Sequence, residues 1–134
     1  LSLVFADTLY WVAVTNRRDQ WHGRALEVSA ALPKNTRILT TDEVLVEFLN
    51  AFAAAQLHKK EAVASFVQRL FVEIEVVPQT HGSLLNGLEL YAQRLDQGYS
   101  LTDCISMRTM RDYGVRQALT HDRHFAQEGF EVLL

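Results

Sequence analysis

Three aspartates stand where this sequence leaves a strand pattern and enters a helix pattern. Asp7 ends the apolar run Leu3 to Ala6, Asp122 follows the short run QALT at Gln117 to Thr120, and Asp103 lies at the start of a helix opening near Thr102. In an open α/β sheet such points share the carboxyl edge of the strands, where loops, helix N-termini and the reversal of strand order meet and ligands bind. Carboxylates are hard oxygen donors suited to Mg²⁺ or Mn²⁺. One cysteine, Cys104, beside five histidines offers no ligand set of the usual zinc kind and no internal disulfide. Each aspartate also has a plainer explanation. Ser100 and Asp103 fit the S/T-x-x-D/E capping pattern, and Asp7 and Asp122 could each cap the helix that follows. Capping would itself bring all three to one edge of the sheet.

Glu47 is a different case, because it stands inside VLVEFLNAF among apolar neighbours, where an unpaired carboxylate is costly to bury. It either has a compensating partner or lies on the solvated side of a half-buried helix. Asp42 and Glu43, in the first turn of that helix, are accounted for by capping and the helix dipole. Thr8 and Thr120 lie next to or near these acids and could orient a carboxylate by hydrogen bonding, or serve as local caps. Arg108 and Arg111 share a helix face and Arg123 adjoins Asp122; each is a candidate phosphate contact, against the alternative of a solvated face. His121 and His124 flank Asp122 at a spacing that reads as solvated surface, and His22, His58 and His81 are isolated. Cys104 reads as a small core residue.

The elements that must position these groups alternate. Leu3 to Ala6 reads as a buried strand. A helical stretch follows, in which Trp21, Ala25, Val28 and Leu32 recur until Pro33, and RILT at Arg37 to Thr40 is the second strand. Thr40 with Glu43 predicts a capping box opening a helix that buries Val44, Leu45, Phe48, Leu49 and Phe52. The next helix carries Val63, Phe66, Val67, Leu70 and Phe71 toward the core. Ile74 to Val77 is a third strand, Leu84, Leu88, Tyr91 and Leu95 mark a helix ending at Gly98, and the helix from Thr102 stops at Gly114. Then come the QALT strand, a brief helix to Gly129 and a last strand in FEVLL. Strands alternating with helices predict an α/β fold with a mainly parallel sheet covered on both faces. With no repeat, linker or low-complexity segment, residues 1–134 read as one domain.

Composition narrows the class further. A net charge of -3 and a pI near 5.9 argue against a protein that coats nucleic acid by bulk electrostatics. Apolar stretches such as Tyr10 to Val14 and Ala51 to Ala55 fall well short of the ~18 residues of a membrane span, and LSLVFAD lacks a signal peptide's pattern. No membrane association is expected. The lone cysteine fits the cytoplasm.

Four stretches, VFADTLYW around Asp7, TTDEVLVEFLN around Glu47, YSLTDCISM around Asp103 and LTHDRHF around Asp122, resemble in order and spacing the four acidic motifs of the PIN-domain family. The resemblance covers nearly the whole chain and is most specific in the S/T-L-x-D helix start followed by T-x-D-x-x-F. Its compactness looks most like VapC-type toxins. It implies a three-layer fold and a metal-dependent endoribonuclease that is commonly a homodimer and is neutralised by a cognate antitoxin. The same resemblance implies that Asp7, Asp103 and Asp122 form the core set around Mg²⁺ or Mn²⁺, with Glu47 acting through water or orienting the nucleophile. Two other functions compete with RNA cleavage. A catalytically silent PIN-like docking module is one, counted against by the intact acids. An α/β phosphotransfer domain is the other, but Leu9 stands where a phosphatase of that class needs a second acid, and Pro78 and Gln79 where a receiver needs its acceptor.

Overall fold

The computed structural model describes residues 2–134, and its centre is the strand β1 (Ser2–Ala6). Parallel pairing to a neighbour on each side leaves it no solvent-facing edge, and Val4, Phe5 and Ala6 are fully enclosed, as the apolar run requires. It leads into α1 (Thr8–Thr15), α2 (His22–Ala31) and β2 (Thr36–Thr41). The helical stretch expected after β1 is thus two helices. In α1 buried Thr8, Tyr10, Trp11 and Ala13 leave no amphipathic period to read.

Next come α3 (Asp42–Asn50), α4 (Leu57–Glu73), β3 (Glu75–Val77), α5 (His81–Gln93), α6 (Leu101–Asp112), β4 (Gln117–Leu119), α7 (Arg123–Gln127) and β5 (Glu131–Val132). The strands form one sheet in the order β3-β2-β1-β4-β5, every pair parallel, flanked by the helices. From β1 the chain builds outward through β2 to β3, then returns to the other side of β1 for β4. The reversal opens a crevice at the carboxyl ends of β1 and β4, the place where an open parallel sheet binds ligands.

Several local expectations shift. The cap of α3 is Thr41, whose hydroxyl accepts from the Val44 N–H at 3.1 Å, because β2 runs one residue further than expected. Thr40 instead donates to the Ala6 carbonyl at 2.8 Å, tying β2 to the end of β1. Phe71 faces solvent at 54% exposure, one position off the buried Val63–Val67–Leu70 stripe of α4. The stripe expected on α5 also turns outward: Leu88 and Tyr91 are exposed, as is Leu95 beyond its end, while Gly87 and Leu90 face inward. A Cβ on Gly87 would lie 2.4 Å from Ile105 Cγ1 and 3.2 Å from Ile105 Cα, so α5 and α6 meet at a contact only glycine permits. That contact fixes α6, which carries Asp103.

Candidate metal centre at the strand ends

The register of β1 and β4 decides the site. Ala6 pairs with Leu119, and the Asp7 N–H donates to the Leu119 carbonyl at 3.2 Å, so the residues after each strand emerge side by side. Thr120 bridges them. Its hydroxyl donates to Asp7 Oδ2 at 3.0 Å and accepts the Asp122 N–H at 3.1 Å. Asp7 occupies the N-cap position of α1 but makes no side-chain capping bond. Capping therefore does not explain Asp7; its carboxylate is turned into the crevice, only 3% exposed.

Asp103 and Asp122 are caps that also lie close to each other. Asp103 closes a reciprocal capping box with Ser100, its Oδ2 accepting the Ser100 N–H at 3.0 Å, and Asp122 Oδ1 accepts the His124 N–H at 2.9 Å. The caps hold the two carboxylates facing each other. Glu47, half-buried on α3, accepts a hydrogen bond from the Thr8 hydroxyl at the first turn of α1, which supplies the compensating partner that its apolar surroundings require. A shallow groove of about 250 Å³ runs beside it, lined by Glu43, Val46, Glu47, Asn50, Gln79 and Thr102.

The acids feel one another. Burial pushes the Asp7 carboxyl up to about 7, with the charge of Asp103 and, more weakly, Glu47 adding to the rise and the Thr120 and Thr8 hydrogen bonds opposing it. Asp103 is also raised, first by burial, with Asp122 and Glu47 contributing, against the Ser100 N–H and His124. Among the described residues no lysine or arginine pairs with any of the four acids. A buried carboxylate held by neutral hydroxyl and amide groups, with further carboxylates beside it, is a donor set that fits a hard divalent cation, which would supply the missing positive charge.

Both threonines offered as orienting groups donate to an acid, Thr120 to Asp7 and Thr8 not to its sequence neighbour Asp7 but to Glu47. The arginines divide. Arg108 pairs with Glu89 at 3.1 Å, and Arg111 donates to the Glu128 carbonyl at 2.7 Å and lies 4.4 Å over the Phe130 ring, so both guanidinium groups are engaged within the fold. Arg123 is exposed beside Asp122. Cys104 is fully buried, and burial, followed by the Asp103 charge, pushes its thiol up to about 11, which suits a core residue and not a nucleophile. The two flanking histidines are not the solvated residues that their spacing suggested. His121 stacks on Trp21 with ring centroids 4.5 Å apart. His124 turns its Nδ1 toward Asp122 Oδ1 at 3.3 Å and Asp103 Oδ2 at 3.7 Å, and the three residues could share one ion. The signal for it lay in distance across the fold, since Asp103 is far from His124 in sequence.

With the crevice and its acids in place, the family model described as PIN domain matches residues 4–131, and the chain belongs to the PIN-domain family, a family of nucleases. The chain is 29% identical over 128 residues to the 23S rRNA-specific endonuclease VapC20 of Mycobacterium tuberculosis, covering 96% of this chain and 95% of that protein. The crystal structure of that toxin, described as cleaving the sarcin-ricin loop, superposes with a TM-score of 0.83 at 28% identity over 96% of each chain. The fold alone is shared with the VapBC2 complex of Rickettsia felis bound to promoter DNA, with a TM-score of 0.68 at 16% identity, covering 97% of this chain and 96% of that one. No helix among the described residues is long and apolar enough to cross a membrane.

Proposed function

We propose that this chain is a divalent-metal-dependent endoribonuclease, the toxin of a toxin–antitoxin pair, whose centre is Asp7, Glu47, Asp103 and Asp122. The observation that carries the proposal is Asp7: a carboxylate delivered by the central strand into the crevice, buried and uncapped, with no lysine or arginine paired to it among the described residues. The charges of Asp103 and Glu47 act on it, and Asp122 is tied to it through Thr120. Membership of a nuclease family and the likeness to VapC20 support RNA as the substrate and a structured loop of 23S rRNA as the target. The VapBC complexes among the structural neighbours support a cognate antitoxin as partner. Homodimerisation and a cytoplasmic location belong to the same proposal, as does a single-domain organisation.

Asp7, Asp103 and Asp122 would hold the cation through carboxylate oxygens, and Thr120 keeps two of them in register by holding Asp7 through its side chain and Asp122 through its backbone. A bound Mg²⁺ or Mn²⁺ supplies the charge that polarises the scissile phosphate and makes water a better nucleophile. Glu47, held by Thr8 at the groove side, would orient the attacking water and take up its proton. Arg123, exposed next to Asp122, would meet an RNA phosphate. The intact acids give no support to a silent docking module, and the family match sets aside the phosphotransfer alternative.

Incubating the purified protein with ribosomes and Mn²⁺, then mapping new 5′ ends on the rRNA, tests the target. One dominant cut in a 23S rRNA loop, absent with Asp103→Asn, is expected. Cleavage of free RNA with no cut in ribosomes would remove the rRNA assignment, and no cleavage of any RNA would remove the nuclease centre.

A further inference from the structure

We infer that His124 is a direct nitrogen ligand of the cation held by Asp103 and Asp122, so that this end of the crevice is a mixed carboxylate–imidazole site that favours Mn²⁺ over Mg²⁺. The inference rests on the metal-dependent reading above and specifies a donor that the four acidic motifs do not contain. Its first support is distance. One donor atom from each of Asp103, Asp122 and His124 lies within 4.8 Å of the others, with Nδ1 at 3.3 and 3.7 Å from the two carboxylate oxygens. Ligands of one octahedral ion with bonds of about 2.1 Å sit about 3 Å apart when adjacent and about 4.2 Å apart when opposite. The three atoms fall in or near that range before any ion draws them together.

The second support is the state of the ring nitrogen. His124 Nδ1 is cut off from solvent yet has no hydrogen-bond partner, because the nearby Asp122 oxygen lies out of line with it. A ring nitrogen that is buried and unpartnered is unusual, and an ion between it and the carboxylates gives it a partner. The ring is also held in place. Asp122 Oδ1 accepts the His124 N–H and fixes the start of α7, and the Tyr99 ring lies 5.3 Å from the imidazole. Tyr99 is itself anchored by its hydroxyl donating to Glu128 at 3.1 Å, while Arg94 clamps Glu128. On the other side Gly98, at φ +76°, lies against the imidazole, where a Cβ would stand at ordinary contact distance, 3.7 Å from Nε2. These contacts preorganise a ligand that would otherwise lose rotamer freedom on binding.

An imidazole donor shifts selectivity toward transition metals, whereas an all-oxygen set suits Mg²⁺ equally well. The test is pulsed electron paramagnetic resonance of the Mn²⁺-loaded protein, which detects a nitrogen nucleus bonded to the ion, together with Mn²⁺ and Mg²⁺ titrations. Wild type should show nitrogen modulation from one imidazole. His124→Ala and His124→Asn should both lose it; the second keeps a polar atom near the Nδ1 position and guards against a folding defect, checked by melting in EDTA. Mn²⁺ affinity should fall about tenfold or more in both variants while Mg²⁺ affinity changes far less. No nitrogen modulation in wild type, modulation surviving in His124→Ala, or unchanged or stronger Mn²⁺ binding in the variants would overturn the assignment, the last by making His124 a counter-ion that competes with metal. Asp103→Asn separates the two levels: if it abolishes Mn²⁺ binding while the His124 variants bind Mn²⁺ as tightly as wild type, only the imidazole ligand is lost, and if it too binds normally, the acidic centre itself is wrong.

Discussion

Replacing Asp7 by asparagine should stabilise the metal-free protein, an inversion of the usual cost of mutating a buried polar residue. The unfolded chain releases the Asp7 proton near 3.8, while the native chain holds it up to about 7, chiefly because burial penalises the charge and Asp103 adds to the penalty. Between those values the native state binds the extra proton, so its stability falls as pH rises through the window and levels off above it. A gap of about three pH units at about 1.4 kcal/mol per unit sets a ceiling of about 4 kcal/mol on the loss. Asparagine is neutral throughout, and its amide oxygen can still accept from Thr120. Urea unfolding in EDTA should therefore find Asp7→Asn more stable than wild type by roughly 2–4 kcal/mol at about pH 8, with the difference closing toward about pH 4. Mn²⁺ at a thousandfold excess over Kd should reverse the order, since it adds about 4.1 kcal/mol to a protein that binds and little to one that has lost a ligand. A variant less stable than wild type at about pH 8 without metal, or a difference independent of pH, would refute the charge-strain argument.

Thr120→Val keeps the shape but removes both the donor to Asp7 and the acceptor for the Asp122 N–H; a stability loss of about 1–3 kcal/mol in urea titrations and weaker Mn²⁺ binding in calorimetry are expected. Gly87→Ala drives a Cβ into Ile105 and should lower stability by about 1–3 kcal/mol, with cleavage falling as α6 and Asp103 shift; a melting curve matching wild type would mean that the α5–α6 contact is slack. Arg123→Ala should weaken RNA binding and flatten its salt dependence without lowering the melting temperature, whereas Arg111→Ala should do the reverse because its guanidinium braces Glu128 and Phe130. Filter binding across a salt series and thermal melts distinguish the two arginines.

The alternation of elements and the acidic positions were legible because each depends on a short stretch of sequence. VFAD shows a buried strand running into a turn, and YSLTD shows a capping box, whether or not the acid also serves a centre. What the local pattern does not hold is direction. Asp7 and Asp122 both sit at helix N-caps, yet Asp122 makes its capping bond and Asp7 does not, a difference set by Thr120 across the β1–β4 pair. His124 was hidden for the same reason: its near neighbours in sequence suggest surface, and Asp103 reaches it only through the packing of α6. Leu88 and Leu95 show the opposite failure, since helical spacing marks an apolar stripe but not whether this chain covers it. The helix α1 is apolar on nearly every side and packs against both α2 and α3, so no period marks its boundaries.

The most direct test of the central claim is cleavage of a defined RNA by wild type and Asp103→Asn, each assayed in EDTA and in Mn²⁺, with melting curves recorded on the same samples. Asparagine retains the cap of α6 and removes the ligand charge, so both proteins should be folded in EDTA and only wild type should cut, and only when metal is added. Cutting by wild type in chelator, or near-normal cutting by folded Asp103→Asn, would contradict a shared metal centre built from Asp7, Glu47, Asp103 and Asp122.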